Sequence, residues 1–277
     1  MTGDDIEIVH SNVPRGRFRT VLFDFDGTLS LIREGWPQVM IPMMVDVLRQ
    51  TLTAETDDQL HDIVEDFVMR LNGRQTIFQM IQLAEEVKKR RGTPLAPLDY
   101  KHAYHELLME RIRGRLETLA AGTASADDWT VPGSRAFLNE LLKRGLALYL
   151  ASGTDLKYVQ REAELLGLTT YFGEHIYGAL DDHRRFSKAM VIHRILAENN
   201  LHGEELLAFG DGFVEIEEVK RVGGVAVAVA SDEANRAGVN AWKRRRLLEA
   251  GADIVIPDYR CGERLLLWLL DGKPLAV

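Results

Sequence analysis

Cysteine is nearly missing from this chain. Cys261 is the only one in 277 residues, so neither an intramolecular disulfide nor a cysteine-rich zinc site can form. Long apolar runs are missing as well. The longest, Val225 to Ala230 and Leu265 to Leu270, fall far short of the ~20 residues that span a bilayer. Residues Met1 to His10 carry Asp4, Asp5 and Glu7 and lack the basic start and apolar stretch of a signal peptide, so a cytoplasmic setting without membrane attachment is expected. Excess positive charge is also absent. Lys and Arg number 34 against 42 Asp and Glu, a net charge of -8, which argues against a general nucleic-acid binder, since that affinity rests on clustered Lys and Arg. A small anionic substrate is still compatible, because a local cation or metal ion can hold a phosphate on an acidic protein.

What is present is a composition, 46% hydrophobic and 27% charged, that supplies a full core. Length alone suggests about two domains. Thr20 to Phe23 is a short apolar, β-prone run that stops at Asp24, and the punctuation recurs. Leu146 to Ala151 stops at Ser152-Gly153, Leu206 to Phe209 at Gly210-Asp211-Gly212, and Val225 to Ala230 at Ser231-Asp232. These runs alternate with helical patterns at Pro132 to Arg144, Asp155 to Leu166, Ser187 to Asn199 and Phe213 to Val222. The alternation predicts an α/β fold of parallel βαβ units, with ligands bound beyond the carboxyl ends of the strands. Those ends carry Asp24, Ser152 and Asp211.

Between about Ser30 and Thr130 the pattern turns helical throughout, at Trp36 to Thr51, Asp57 to Leu71, Arg74 to Arg91 and Asp99 to Leu119. Breakers lie at Gly92 to Pro97 and Ala120 to Asp128. The expected division is a first core part at 1–30, an inserted all-helical block at 31–130 and a second core part at 131–277. No internal repeat, heptad seam or low-complexity segment interrupts it.

The strongest chemical signal is D-F-D-G-T, Asp24 to Thr28, directly after the first strand. Side chains two apart on extended chain project to one face, so Asp24 and Asp26 can serve one site, and Gly27 permits a tight departure. Carboxylates suit a hard cation such as Mg²⁺, and a carboxylate can attack phosphorus. A calcium loop does not fit. It needs glycine sixth and glutamate twelfth, and counting from Asp24 these are Leu29 and Gly35.

D-F-D-G-T resembles the first motif of the haloacid dehalogenase superfamily, and the later motifs follow in that family's order. Ser152 in A-S-G-T resembles the second motif, and Lys188 in S-K-A-M-V-I the third. Asp211 and Glu215 in G-D-G-F-V-E resemble the fourth, where the family usually has aspartate at the position of Glu215. The resemblance implies a Rossmann-like parallel sheet with an inserted helical cap, as in the subfamily holding phosphoglycolate phosphatase and β-phosphoglucomutase. It implies Asp24 as nucleophile and Asp26 as proton donor. Ser152, with the backbone of Gly153 and Thr154, would hold phosphoryl oxygens, and Lys188 would neutralise charge. Mg²⁺ would be held by Asp24, the backbone near Asp26, Asp211 and, directly or through water, Glu215. Asp26 favours phosphoryl transfer over dehalogenation, and no cap lysine stands out as a Schiff-base former. Lys88, Lys89 and Lys101 read as solvated helix charges.

Three other features have simpler readings. His61-Asp62 is a helix surface, and His102, His105 and Glu106 lack the order of a zinc motif. Lys243 to Arg246 reads as a solvated basic helix face. The loop Asn72 to Thr76, with Arg74, and Arg33 after the first motif are candidates for reading the substrate. The expected activity is hydrolysis of a small phosphorylated metabolite, a sugar phosphate or phosphoglycolate-like acid. The alternatives are a mutase using the same residues and a non-catalytic phosphometabolite-binding protein. The oligomeric state is left open, and the C-terminal apolar helix with Trp268 is either core or contact surface.

Overall fold

A computed structural model describes residues 6–275; Asp4 and Asp5 lie outside them. The strands are β1 (Glu7–Ile8), β2 (Thr20–Phe23), β3 (Ala147–Asp155), β4 (Ile176–Ala179), β5 (Leu206–Gly210), β6 (Val225–Val229) and β7 (Ile254–Ile256). They form one sheet in the order β1-β7-β6-β5-β2-β3-β4, with β1 antiparallel on its edge and every other pairing parallel. β2 is central, and all four of its residues are buried between β3 and β5.

The helices are α1 (Pro37–Arg49), α2 (Asp57–Arg70), α3 (Ile77–Lys89), α4 (Pro97–Ala120), α5 (Ser134–Lys143), α6 (Leu156–Leu165), α7 (Thr169–Phe172), α8 (Lys188–Glu198), α9 (Phe213–Arg221), α10 (Ala241–Glu249) and α11 (Gly262–Leu269). Strand alternation sorts the core into two layers. Phe23, Phe209 and Val227 face α5, α6, α7 and α11, whereas Leu22, Ala208 and Ala226 face α8, α9 and α10. Beneath the strand that carries Asp24, the ring of Phe23 stacks on Phe209 at 5.0 Å, with Phe137 and Phe172 edge-on. This rigid aromatic layer fixes the end of β2. Trp268 packs into the same layer under Arg15, which makes α11 a core helix.

Helices α1 to α4 pack on one another and extend the first core layer. The chain leaves and re-enters the sheet domain side by side. Ser30 bridges Thr130, Leu31 N–H donates to Trp129 O and Val131 N–H to Leu29 O. Among the described residues no helix is long and apolar enough to cross a membrane.

Two readings of charge need correcting. Lys101 is buried on α4 and pairs with Asp155 at the start of α6, so only Lys88 and Lys89 are solvated cap lysines. The basic run on α10 is not a solvated face either. Lys243 is buried, Arg244 pairs with Glu7, and Arg246 donates to the carbonyls of Met69, Arg70 and Asn72 at the end of α2. Met69 O also accepts from Asn72 N–H, and the guanidinium adds a donor and a positive charge at the negative end of α2. The short strands β1, β4 and β7 were not anticipated, because two to four residues carry too little periodicity.

Candidate active site

Asp24 ends the central strand, its N–H donating to Phe209 O at 2.9 Å, and its carboxyl group is buried. The chain then turns sharply at Gly27, whose φ is +73°. A Cβ there would lie 2.2 Å from Asp211 Oδ2, so glycine is required both for the turn and to let Asp211 in. Asp211 follows β5, and Glu215 sits in the first turn of α9 with Oε1 accepting from Gly212 N–H at 2.6 Å. One oxygen from each of Asp24, Asp211 and Glu215 lies within 4.8 Å of the others, the one such cluster of possible metal ligands among the described residues.

Lys188 opens α8 and is buried. Its ammonium lies 2.9 Å from Asp24 Oδ1 and 2.7 Å from Glu215 Oε2. Burial alone would lower the lysine, but Asp24 and Glu215 hold it above its ordinary value. Burial pushes the Asp24 carboxyl well up. The Lys188 ammonium opposes this, while Glu215 and Asp211 push the same way.

Asp26 occupies a different environment. Its Oδ2 accepts from Thr154 Oγ1 at 2.8 Å and from Ser152 Oγ at 3.3 Å. Its Oδ1 is buried without a hydrogen bond, 3.7 Å from Arg33 Nε. Burial raises its pKa to about 6, against the pull of Arg33. The Asp26 side chain therefore stands outside the carboxylate cluster, and only its backbone remains for an ion. Gly153 lies against the cap loop, where a Cβ would meet Arg74 O at 2.7 Å. The loop Asn72 to Thr76 thus closes directly over Ser152 to Thr154, and Gln75 Nε2 ties it to His183 O and Phe186 O.

The structure brings Asp24, Asp26, Ser152, Gly153, Thr154, Lys188 and Asp211 around one cavity, with Arg33 and Arg74 on its cap side. Arg33 is buried, and Nε and Nη2 both donate to Glu162 at 2.6 to 3.1 Å. Arg74 is exposed, its guanidinium over the rings of Phe78 and Phe213. The histidines do not form a metal site. His105 stacks on Tyr158 at 3.8 Å, and burial followed by Arg33 lowers it to about 4, while His61 and His102 are exposed.

Sequence reasoning missed Lys243, Glu233 and Glu162. The Lys243 ammonium lies 2.8 Å from Asp211 Oδ2 and 2.6 Å from Glu233 Oε1. A signal existed for two of them. Lys243 shares the buried stripe of α10 with Leu247, and Glu162 that of α6 with Val159 and Ala163, so each places a charge on an apolar helix face.

A model of the haloacid dehalogenase-like hydrolase family matches residues 18–223. No curated protein sequence matches significantly. Among solved structures, one described as a predicted phosphoglycolate phosphatase from Haemophilus somnus superposes with a TM-score of 0.59 at 16% identity, covering 93% of this chain and 99% of that one. A predicted phosphatase from Clostridium acetobutylicum gives 0.59 at 16% identity over 90% and 98% of the two chains. A β-phosphoglucomutase from Clostridium difficile gives 0.57 at 11% identity over 89% and 92%. At these identities the neighbours establish the fold. With the family match covering most of its length, the chain belongs to the haloacid dehalogenase-like hydrolases.

Proposed function

We propose that the protein is a magnesium-dependent phosphomonoesterase acting on a small phosphorylated metabolite in the cytoplasm. Residues 31–130 form its cap domain, and 1–30 with 131–277 its catalytic core. The observation that carries this reading is the pairing of two unlike carboxyl groups across one cavity, Asp24 beside Lys188 and Asp26 with a buried oxygen that lacks a hydrogen bond.

The donor set fits a hard cation: three carboxylates, with no nitrogen or sulfur among them. Asp24 and Asp211 would hold Mg²⁺, with Glu215 directly or through water, since both Glu215 oxygens already accept hydrogen bonds. When bound, the ion supplies positive charge to the phosphoryl oxygens. The protein's own residues supply the rest. Asp24 attacks phosphorus in line, forming the aspartyl phosphate as the bond to the leaving oxygen breaks. Asp26, protonated, gives its proton to the departing alkoxide. In the second step the Asp26 carboxylate takes a proton from water as that water attacks phosphorus. The bond to Asp24 then breaks and inorganic phosphate leaves. Lys188 keeps Asp24 oriented, and Ser152 with the Gly153-Thr154 backbone steadies the transferring group.

The neighbours' names support this substrate class, since they include a phosphoglycolate phosphatase and a β-phosphoglucomutase. A mutase is the second reading, supported by the contact of the cap loop with Gly153 and Gly212, which would exclude water. Phosphate release from a panel of phosphorylated metabolites, with and without Mg²⁺, tests the first reading. Isomerisation of a hexose phosphate that requires a bisphosphate activator would replace it with the second.

A further inference from the structure

The cavity beyond Asp24 is small, about 80 Å³, and its cap side is lined by Trp36, Met40, Asn72, Thr76, Gln79 and Tyr104. Charge in this half is already balanced. Arg33 is the buried guanidinium of the wall, and it is committed to Glu162 through two nitrogens while facing Asp26. Glu34, also in the wall, is paired with Arg115. Lys188 and Lys243 each lie between two carboxylates. Arg74 also lines the cavity, but it is exposed, its guanidinium held over the rings of Phe78 and Phe213 at the border with the outer groove between α2 and α10. A second anionic group on the substrate would be desolvated beside Asp26, Glu34 and Glu233 with no uncommitted buried cation to meet it. Neutral groups are available instead: the amide oxygen of Gln79, whose nitrogen is taken by Val68 O, the hydroxyls of Thr76 and Tyr104, and the Asn72 amide.

We infer that the substrate is a phosphate monoester whose leaving group is an uncharged, hydroxyl-bearing alcohol, and that Glu162, by occupying Arg33, is the residue that sets this preference. The inference rests on the phosphomonoesterase reading and narrows it, against phosphorylated acids and bisphosphates.

The test uses the full chain with Mg²⁺ and two probe sets: glycerol phosphate with tetrose and pentose monophosphates, against phosphoglycolate and a hexose bisphosphate. The neutral set should have kcat/KM higher by about tenfold or more, the scale of discrimination expected when a buried charge lacks a partner. Glu162→Gln should release Arg33 and narrow that gap about tenfold, chiefly through a lower KM for phosphoglycolate. Loss of folding alone would lower both sets together. Binding of glycerol phosphate and phosphoglycolate to Asp24→Asn, followed by calorimetry, ranks the two without turnover. Tighter binding or faster hydrolysis of phosphoglycolate, or a gap unchanged in Glu162→Gln, overturns the inference while leaving a phosphatase. No release from any probe or from p-nitrophenyl phosphate, with the binding order retained, overturns the phosphatase reading and leaves the inference standing. Absence of binding by either ligand overturns both.

Discussion

The two halves of the cavity hold the same residue type in opposite circumstances. On the sheet side Asp24 faces a buried lysine and shares a cluster with Asp211 and Glu215. On the cap side Asp26, two residues later, accepts hydroxyl hydrogen bonds on one oxygen and leaves the other buried without one. Burial pushes Asp24 up and Lys188 opposes it, so a divalent cation joining the cluster would favour the ionised carboxylate. The cap-side environment favours a proton held until the leaving group needs it. Two carboxyl groups on one short turn thus meet different partners, an ammonium and two more carboxylates for Asp24, two hydroxyls and a guanidinium for Asp26.

Replacing Asp24, the proposed nucleophile, breaks the comparison most severely. Asp24→Asn should lower phosphate release on the order of 10³-fold or more in steady-state assays. Asp26→Asn should cost on the order of 10² to 10⁴-fold with alkyl phosphates and markedly less with p-nitrophenyl phosphate, whose leaving group needs no proton. The pH profile sharpens the same point. Because the pKa of Asp26 is raised to about 6, its proton is present below that pH and lost above it. With alkyl phosphates, kcat/KM should therefore fall as pH rises through about 6, and with p-nitrophenyl phosphate that limb should flatten. A profile identical for both substrates would remove Asp26 as the acid.

Lys243 tests the sheet-side half without touching Asp24. Lys243→Met leaves Asp211 and Glu233 buried without their shared cation, which should cost on the order of 3 kcal/mol of folding stability. Millimolar Mg²⁺ should recover more of the melting temperature in the variant than in the parent, because a second cation then answers Asp211. Equal Mg²⁺ shifts would separate Lys243 from the metal cluster. The smallest effect is expected at the cap. Arg246→Ala removes the link to the end of α2 and should raise KM by about threefold with little change in kcat, reflecting a less closed cleft.

Much of this was legible because the parallel strands are uniformly apolar and end in acids or hydroxyls. Thr20 to Phe23 and its neighbours announced both the sheet and the loops that bear Asp24, Ser152 and Asp211. The four cap helices were equally plain, since each repeats an apolar stripe at helical spacing. What escaped was pairing across long stretches of chain. Glu162 is 129 residues from Arg33, and no local pattern shows that the two side chains are bonded. Lys243 and Lys101 looked solvated because composition reports charge, whereas only the fold decides which charge is enclosed.

The central claim is that the phosphoryl group passes through a covalent bond to Asp24. Acid quenching of a single turnover, followed by peptide mass spectrometry, measures this directly. The account predicts one added phosphoryl group on the peptide containing Asp24, and none in Asp24→Asn. A phosphoryl group on another residue, or turnover with none at any time point, would contradict it.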